Sequence, residues 1–484
     1  MAVAGAGAHI LVFPYPAQGH MITLLDLTHQ LAIRGLTITI LVTPKNLSFL
    51  DPLLSKHPSI KPLVLPFPVS PSIPAGVENV KDLPVGSFSA MMAALGELYN
   101  PMLNWFQSHP SPPVAIISDM FLGWTHRLAC QLSIRRFVFC PSGALAMSVI
   151  FALWRDMRQR NDPGDDNELI SFPEIPNSPV YPWWELSPVY RSFVTGGPRS
   201  EFLKDAFLGN IASWGLVINS FSELERVYLD YLKESLGHDR VWSVGPLLPP
   251  EIDRVSRGGS SSVLASEITS WLDKFDDQTV VYVCFGSLAV LTNKQMEELA
   301  LGLEKSGVNF LWSSKIPTGG HVEGEYGMIP LGFQERVAGR GLVIKGWAPQ
   351  VSILSHRAVG AFLTHCGWNS VLESIVAGVP MLAWPMGADQ FANADILDEL
   401  KVGIRVCKGA NMIPDSDELA RLVAKAVSNE ERGERIARAK ELSKAALVST
   451  KMGGSSYKSL DGLVRHLSQD QDFLACDPKK HIIK

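Results

Sequence analysis

The 484-residue chain has no excess of positive charge: 43 Lys and Arg stand against 48 Asp and Glu, a formal net charge of −5. Nucleic-acid binders carry a basic footprint, so that class is set aside, and an anionic ligand must be held by local dipoles and hydrogen bonds. No run reaches the roughly 18 apolar residues of a membrane-spanning helix. The first apolar run has no Lys or Arg before it and is broken by Pro14 and Pro16, so neither a signal peptide nor a membrane span is expected. Cysteine is sparse: Cys130, Cys140, Cys284, Cys366, Cys407 and Cys476 form no C-x-x-C pair. Cys140 and Cys284 lie in apolar strand-like runs as small buried thiols, a usage that fits the reducing cytoplasm. No G-x-S-x-G elbow is present, which disfavours a serine hydrolase. Gly5-Ala6-Gly7 precedes the first strand, whereas a dinucleotide loop follows one.

What is present describes a globular α/β chain. Hydrophobic residues make up 46% and charged residues 19%, and the length suggests two to three domains. Ala8–Phe13 reads as a buried strand. Pro14 to His20 is a loop, and Met21–Arg34 is a helix with Ile22, Leu24, Leu25, Leu27, Leu31 and Ile33 on its apolar face. Gly35 ends it and Leu36–Val42 is the next strand. Strand, loop, helix, strand opens a doubly wound parallel domain. Val114–Ser118, Arg136–Cys140, Gly215–Asn219 and Arg240–Val244 continue the strand pattern.

Sheets of this kind bind ligands beyond the carboxyl ends of their strands. His20 lies in the loop after the first strand, and Asp119 directly follows Val114–Ser118. Two unlike titratable groups thus fall on one sheet edge. A carboxylate bonded to one imidazole nitrogen fixes the tautomer and supports the imidazolium formed when the other nitrogen takes a proton.

Residues 161–200 change character, with prolines at 163, 173, 176, 179, 182, 188 and 198 beside Trp183 and Trp184. Two readings stand open: an ordered lid over an apolar pocket, or a surface loop with its tryptophans tucked inward. Pro246 to Ser262, ending in Arg257-Gly258-Gly259-Ser260-Ser261-Ser262, reads as an interdomain linker. The alternation then restarts. Thr279–Phe285 is a strand followed by Gly286-Ser287, Asn293–Lys305 is a helix, and Phe310–Ser313 and Gly341–Ile344 are strands. Pro380–Trp384 is a strand, Ala392–Leu400 a helix and Gly403–Val406 a short strand; helices then run to about His466, and the tail from Gln469 is expected to fray. Asp415-Ser416-Asp417 spells the DxD of metal-dependent transferases. It follows Pro414 and opens a helix, so N-capping explains it.

The 44 residues from Trp347 to Gln390 concentrate the chemistry. Val359–Thr364 is a buried strand. His365-Cys366-Gly367-Trp368-Asn369-Ser370 turns into a helix that continues from Val371 to Ala377 and closes at Gly378. Gly367 allows close backbone approach, and Asn369 and Ser370 are good helix starters. A helix N-terminus just beyond a parallel strand suits a phosphate. His365 and Ser370 add donors, Glu373 can accept both hydroxyls of a ribose, and Trp347 offers a flat face for a base. Asp389 and Gln390 can grip vicinal hydroxyls of a hexose.

This stretch resembles the signature box of the plant family 1 UDP-glycosyltransferases, and the resemblance extends over residues 8–468. It implies two Rossmann-like doubly wound domains facing across a cleft, the GT-B architecture. The divisions expected are 1–245 for the acceptor, 246–262 as linker, 263–453 for the UDP-sugar, and 454–484 as a helix crossing back to the first domain plus the tail. The resemblance assigns Trp347 to uracil stacking and Ala348 (through its backbone) and Gln350 to uracil and ribose. It assigns Glu373 to the ribose, and His365, Asn369 and Ser370 to the phosphates. Trp368, Asp389 and Gln390 go to the sugar. Gln at the end of the box accompanies glucose use and His there galactose; Arg in place of Trp368 accompanies glucuronate. Ser287, Gly19 and Gly367 join the donor residues. Ser142 stays between bonding the donor and capping a helix.

The implied reaction is inverting transfer of glucose from UDP-glucose to a hydroxyl of a flavonoid or other phenolic. His20 is the base and Asp119 its partner; no metal or bound cofactor is required. The enzyme is expected to be a cytoplasmic monomer. Alternatives are another UDP-sugar (xylose, galactose or rhamnose), transfer to aromatic carbon, a nucleotide-sugar epimerase or hydrolase, and a non-catalytic binder of phenolics.

Overall fold

The computed structural model describes residues 7–84, 86–248, 261–317, 322, 324–428 and 433–469. Gly5, Ala6, most of the expected linker, Cys476 and the tail beyond Gln469 lie outside them. The described residues fall into two compact units. One draws on Met1–Trp184, Pro188–Leu247 and Thr450–Lys484, the other on Glu185–Ser187 and Leu248–Ser449.

The first unit is built on β1 (His9–Phe13), β2 (Thr37–Val42), β3 (Lys61–Val64), β4 (Ala115–Asp119) and β5 (Arg135–Cys140). A hairpin, β6 (Leu169–Ser171) and β7 (Val180–Pro182), intervenes before β8 (Gly215–Ile218) and β9 (Val241–Ser243). The seven-stranded sheet has the order β3-β2-β1-β4-β5-β8-β9, and its pairings are parallel. Both faces are covered, so the strands read as continuous apolar runs; Ile10, Leu11, Val12 and Ile40 are fully buried. The chain runs outward from β1 to β3, then returns to the other side of β1 as β4. The order therefore reverses between β1 and β4, with Phe13 in register with Ser118. Such a switch point leaves a crevice at the carboxyl edge.

The first helix is Gln18–Ala32, three residues earlier than the periodicity suggests. Ile33, expected on its buried face, follows the last helical turn and is 56% exposed. The proline-rich stretch is neither structureless nor a single loop. It contains the antiparallel β6–β7 hairpin, a 3-10 turn at Trp183–Glu185 and a short helix, Pro188–Arg191. Trp183 is buried with its ring 6.0 Å from Tyr190. Helix Ser455–Ser468 belongs to this unit. Its Leu460, Leu463 and Leu467 enter the same core as Val217 and Trp242. Arg34 pairs with Asp461 at 2.9 Å, and Arg135 donates to the carbonyls of His466 and Gln469.

The second unit is built on β10 (Val280–Cys284), β11 (Asn309–Ser314), β12 (Gly341–Lys345), β13 (Val359–Thr364), β14 (Met381–Ala383) and β15 (Gly403–Arg405). Their order is β12-β11-β10-β13-β14-β15, again parallel. The reversal falls between β10 and β13. The segments leaving those strands, Phe285–Ser287 and His365–Gly367, carry Ser287 and His365, and the helix that follows the second carries Asn369 and Ser370.

Candidate functional site

His20 stands in the first turn of helix Gln18–Ala32, not in the loop before it. Its backbone N–H already bonds the Ala17 carbonyl at 3.0 Å. Helical geometry fixes the side-chain direction more tightly than a loop would. Its Nδ1 lies 2.8 Å from Asp119 Oδ2. The carboxylate is fully buried and the imidazole 21% exposed. The other carboxylate oxygen accepts the Phe121 N–H at 2.9 Å. Phe121 also stacks on the imidazole, with centroids 4.8 Å apart and planes at 28°, and Tyr15 meets it edge-on. A carboxylate can only accept, so Nδ1 carries the proton and Nε2 keeps its lone pair. Burial and Asp119 together push the Tyr15 phenol well above its ordinary value, so it stays protonated. Gly19 lies in the same turn, its carbonyl accepting from the Thr23 hydroxyl at 2.6 Å.

Ser142 does not cap the helix that follows it. The first N–H groups of helix Ala144–Asp156, those of Ala144 and Leu145, bond the buried carboxylate of Glu225 at 2.9 and 3.0 Å. Glu225 also accepts the Ser220 hydroxyl at 2.6 Å. A glutamate from 80 residues away has taken the cap, an arrangement local sequence spacing does not signal.

In the second unit the helix after β13 begins at Trp368, with Gly367 as its N-cap. Asn369 and Ser370 therefore lie inside its first turn rather than starting it. Gly367 has no side chain with which to cap the helix, and its first turn carries no acidic residue, so the positive end of the dipole has no carboxylate from its own first turn. Gly367 has φ −60°, a value any residue adopts. Its smallness serves the imidazole of His365 rather than a backbone approach: a Cβ there would lie 2.5 Å from Nε2. A Cβ on Gly286, whose φ is +74°, would meet the same ring at 2.5 Å. Two glycines thus form the slot for His365. Desolvation lowers its pKa to about 4, so near neutral pH it is an uncharged ring offering one N–H. Its Nδ1 is buried without a hydrogen-bond partner.

The base and ribose candidates bond one another. Gln350 Nε2 donates to Ser370 Oγ at 3.0 Å and to Glu373 Oε2 at 2.8 Å. Its oxygen lies 3.5 Å from the hydroxyl of Tyr282, which stacks on Phe362. Ala348 is buried and its carbonyl accepts the Gln350 N–H at 2.8 Å. Trp347 is half-buried, and its Nε1 is a buried donor without a partner among the described residues. Ser287 follows Gly286 in the turn after β10, and its carbonyl accepts from the Lys315 ammonium. Trp368 is buried and Asn369 half-buried.

Asp389 and Gln390 begin the helix Gln390–Glu399. Gln390 Oε1 accepts the N–H groups of Met386 and Gly387 at 2.8 and 3.1 Å. Its carbonyl side is engaged in shaping the loop, and only the NH2 side is offered to a ligand. Asn393 was not singled out from the sequence. Its Nδ2 donates to Asp389 Oδ2 and to the Cys366 carbonyl, both at 3.0 Å. Cys366 has φ +63°. One buried amide thus ties the Asp389 carboxylate to the turn before the Trp368 helix. The signal was available, since Asn393 lies one helical turn beyond Asp389.

Asp415 N-caps helix Ser416–Val427 through the Glu418 N–H at 2.9 Å, as its spacing indicates, and Asp417 pairs with Lys305 at 2.6 Å. Among the described residues no group of three or more His, Cys, Asp or Glu could hold a metal. No helix among them is long and apolar enough to cross a membrane.

The chain is similar to known proteins over most of its length. Residues 257–442 match the family model described as UDP-glucoronosyl and UDP-glucosyl transferase. UDP-glycosyltransferase 89B2 of Stevia rebaudiana is 64% identical over 96% of this chain and 98% of its own. The flavonol 3-O-glucosyltransferase UGT89B1 of Arabidopsis thaliana is 56% identical over 95% and 96%. Among solved structures, Arabidopsis thaliana UGT89C1 complexed with UDP-L-rhamnose superposes with a TM-score of 0.80 at 40% identity, over 96% of this chain and all of that one. The same protein complexed with quercetin gives 0.77 at 39%, with the same coverage.

Proposed function

The chain belongs to the plant UDP-glycosyltransferases, and from that premise we propose that it moves glucose from UDP-glucose to a hydroxyl of a flavonoid or related phenolic, giving a β-glucoside. The first unit takes the acceptor and the second the UDP-sugar. The observation that carries the chemistry is the 2.8 Å contact between His20 Nδ1 and Asp119, which leaves Nε2 as a base on a partly exposed ring. Nε2 removes the acceptor's hydroxyl proton as that oxygen bonds to the anomeric carbon. The bond from that carbon to the β-phosphate oxygen breaks, and its electron pair leaves with UDP. Asp119 supports the imidazolium while it exists. One displacement inverts the centre.

The leaving charge develops at the N-terminal end of the Trp368 helix, with the Ser370 and Ser287 hydroxyls and a neutral His365 as donors. Preorganised dipoles act here in place of a metal or a cationic field. Uracil stacks on Trp347 and meets the Ala348 backbone. The ribose hydroxyls displace Gln350 from Glu373, and the released amide turns to the nucleoside. Trp368, Asp389 and the amide nitrogen of Gln390 hold the hexose; Gly19 and Ser142 complete the donor set. The protein acts as a cytoplasmic monomer.

The relatives' names support a flavonoid acceptor, and Gln390 with Trp368 supports glucose. A second donor has specific support, since a 40% identical relative was solved with UDP-L-rhamnose. Steady-state assays with UDP-glucose and UDP-rhamnose on a flavonol separate the two. Replacing His20 by Ala tests the mechanism, with a loss of about 100- to 10,000-fold in kcat expected for a general base. Full activity in that variant contradicts the reading.

A further inference from the structure

Beneath the His20–Asp119 pair lies a charge that the reaction scheme does not use. Arg136, on β5 beside β4, is 1% exposed. A buried guanidinium is costly unless its charge and donors are matched. Among the described residues no carboxylate lies within ion-pair distance of it. Its Nε donates to Ser118 Oγ at 2.9 Å, and its Nη1 to Asn210 Oδ1 at 2.9 Å and Ser213 Oγ at 2.7 Å. Its Nη2 is 3.4 Å from the Asp119 carbonyl.

Each of the first two contacts continues to the same turn. Ser118 accepts from Arg136, so its own proton goes to Thr125 Oγ1 at 2.7 Å, and Thr125 in turn donates to the Leu122 carbonyl at 2.7 Å. Asn210 accepts from Arg136 and donates to the Met120 carbonyl at 2.7 Å. One side chain thereby reaches the carbonyls of Asp119, Met120 and Leu122. That turn bears both groups that hold His20: the Asp119 carboxylate and the Phe121 ring. Glycine allows the close approach that brings Asn210 there, since a Cβ on Gly123 would lie 1.8 Å from the Ala206 carbonyl.

We propose that Arg136 is a positioning residue for the transfer reaction, bracing the Asp119–Leu122 turn and supplying the positive charge against which the Asp119 carboxylate is held. This rests on His20 being the base. Burial lowers the guanidinium pKa to about 9, and Asp119 opposes that fall. The charged or titratable groups around the carboxylate are His20 from helix Gln18–Ala32, Tyr15 from the preceding loop and Arg136 from β5. Tyr15 stays neutral, so Arg136 is the fixed cation beside the pair.

The test compares R136M, R136K and N210A with the parent enzyme, using UDP-glucose and a flavonol. R136M lowers kcat about 10- to 100-fold, the scale of a small misplacement of reacting groups, with KM for UDP-glucose unchanged. Its acid limb in kcat/KM moves to higher pH by about one unit, as removal of a nearby charge requires. R136K restores the limb and only part of kcat. N210A, which keeps the charge but loses the bridge to Met120, lowers kcat with the limb unmoved. If R136M does not fold, N210A and R136K decide. Wild-type kcat and pH profile in the variants that fold overturn the proposal, as does a loss seen only in KM. An inactive H20A beside wild-type-like Arg136 and Asn210 variants refutes this inference alone, whereas an active H20A refutes the base itself.

Discussion

His365 shows how burial changes what a residue can offer. Its sequence neighbours mark it as a phosphate ligand, and a positive imidazolium would be the obvious form. The Gly286 and Gly367 slot instead desolvates it and lowers its pKa to about 4. An unfolded imidazole takes a proton from about pH 6.5 downward. Between those values the unfolded chain binds more protons, so this residue makes stability fall as pH drops, by up to about 1.4 kcal/mol per pH unit. Above about pH 6.5 both states are neutral and the effect vanishes. Urea unfolding of H365N and the parent from pH 7 to 4 should converge as pH falls; parallel curves would contradict the assignment. His20 and Asp119 could be brought together from the sequence because each closely follows a buried strand of one sheet, and the structure puts their side chains 2.8 Å apart. Arg136 was less legible: a charge in an apolar strand is visible, but its partners Asn210 and Ser213 come from 74 and 77 positions away.

At the scale of elements, the turn from β13 into the Trp368 helix is the proposed meeting point with the diphosphate. Gly367→Ala is a clean probe because φ −60° tolerates alanine, so its effect is the push on the His365 ring rather than backbone strain. It should raise KM for UDP-glucose about tenfold, with a smaller change in kcat, since a displaced donor weakens ground-state binding. An unchanged KM would mean that the ring does not meet the donor. The strands were legible because parallel strands buried on both faces are uninterrupted apolar runs. Helix starts were less so. The Trp368 helix begins earlier than its good starters because Gly367 takes the cap position. The helix at Ala144 is capped by Glu225 from a distant kink, which spacing along the chain does not encode. The β6–β7 hairpin was hidden by prolines, which fit its strand ends and turns.

Across the whole molecule, both parallel sheets reverse strand order once, and the residues proposed for the chemistry lie at those reversals: His20 and Asp119 beyond β1 and β4, Ser287 and His365 beyond β10 and β13. The alternation of strand and helix in the sequence forecasts two such sheets, and the resemblance implies that the last helix returns to the first unit, where Thr450 onward is found; strand order comes from packing. Leu463 is fully buried in that first core. Leu463→Ala should therefore destabilise the first unit by about 2–5 kcal/mol. Denaturant unfolding followed through tryptophan fluorescence measures this, and a change under about 1 kcal/mol would mean that the helix is peripheral. The central claim is that His20 carries out a single inverting displacement from a UDP-sugar. Its most direct test is to run the enzyme and H20A with UDP-glucose and a flavonol, and to read UDP release together with the anomeric proton coupling of the product by NMR. The account predicts a β-glucoside from the parent and loss of both signals in H20A. An α-glucoside, or undiminished turnover without His20, would contradict it.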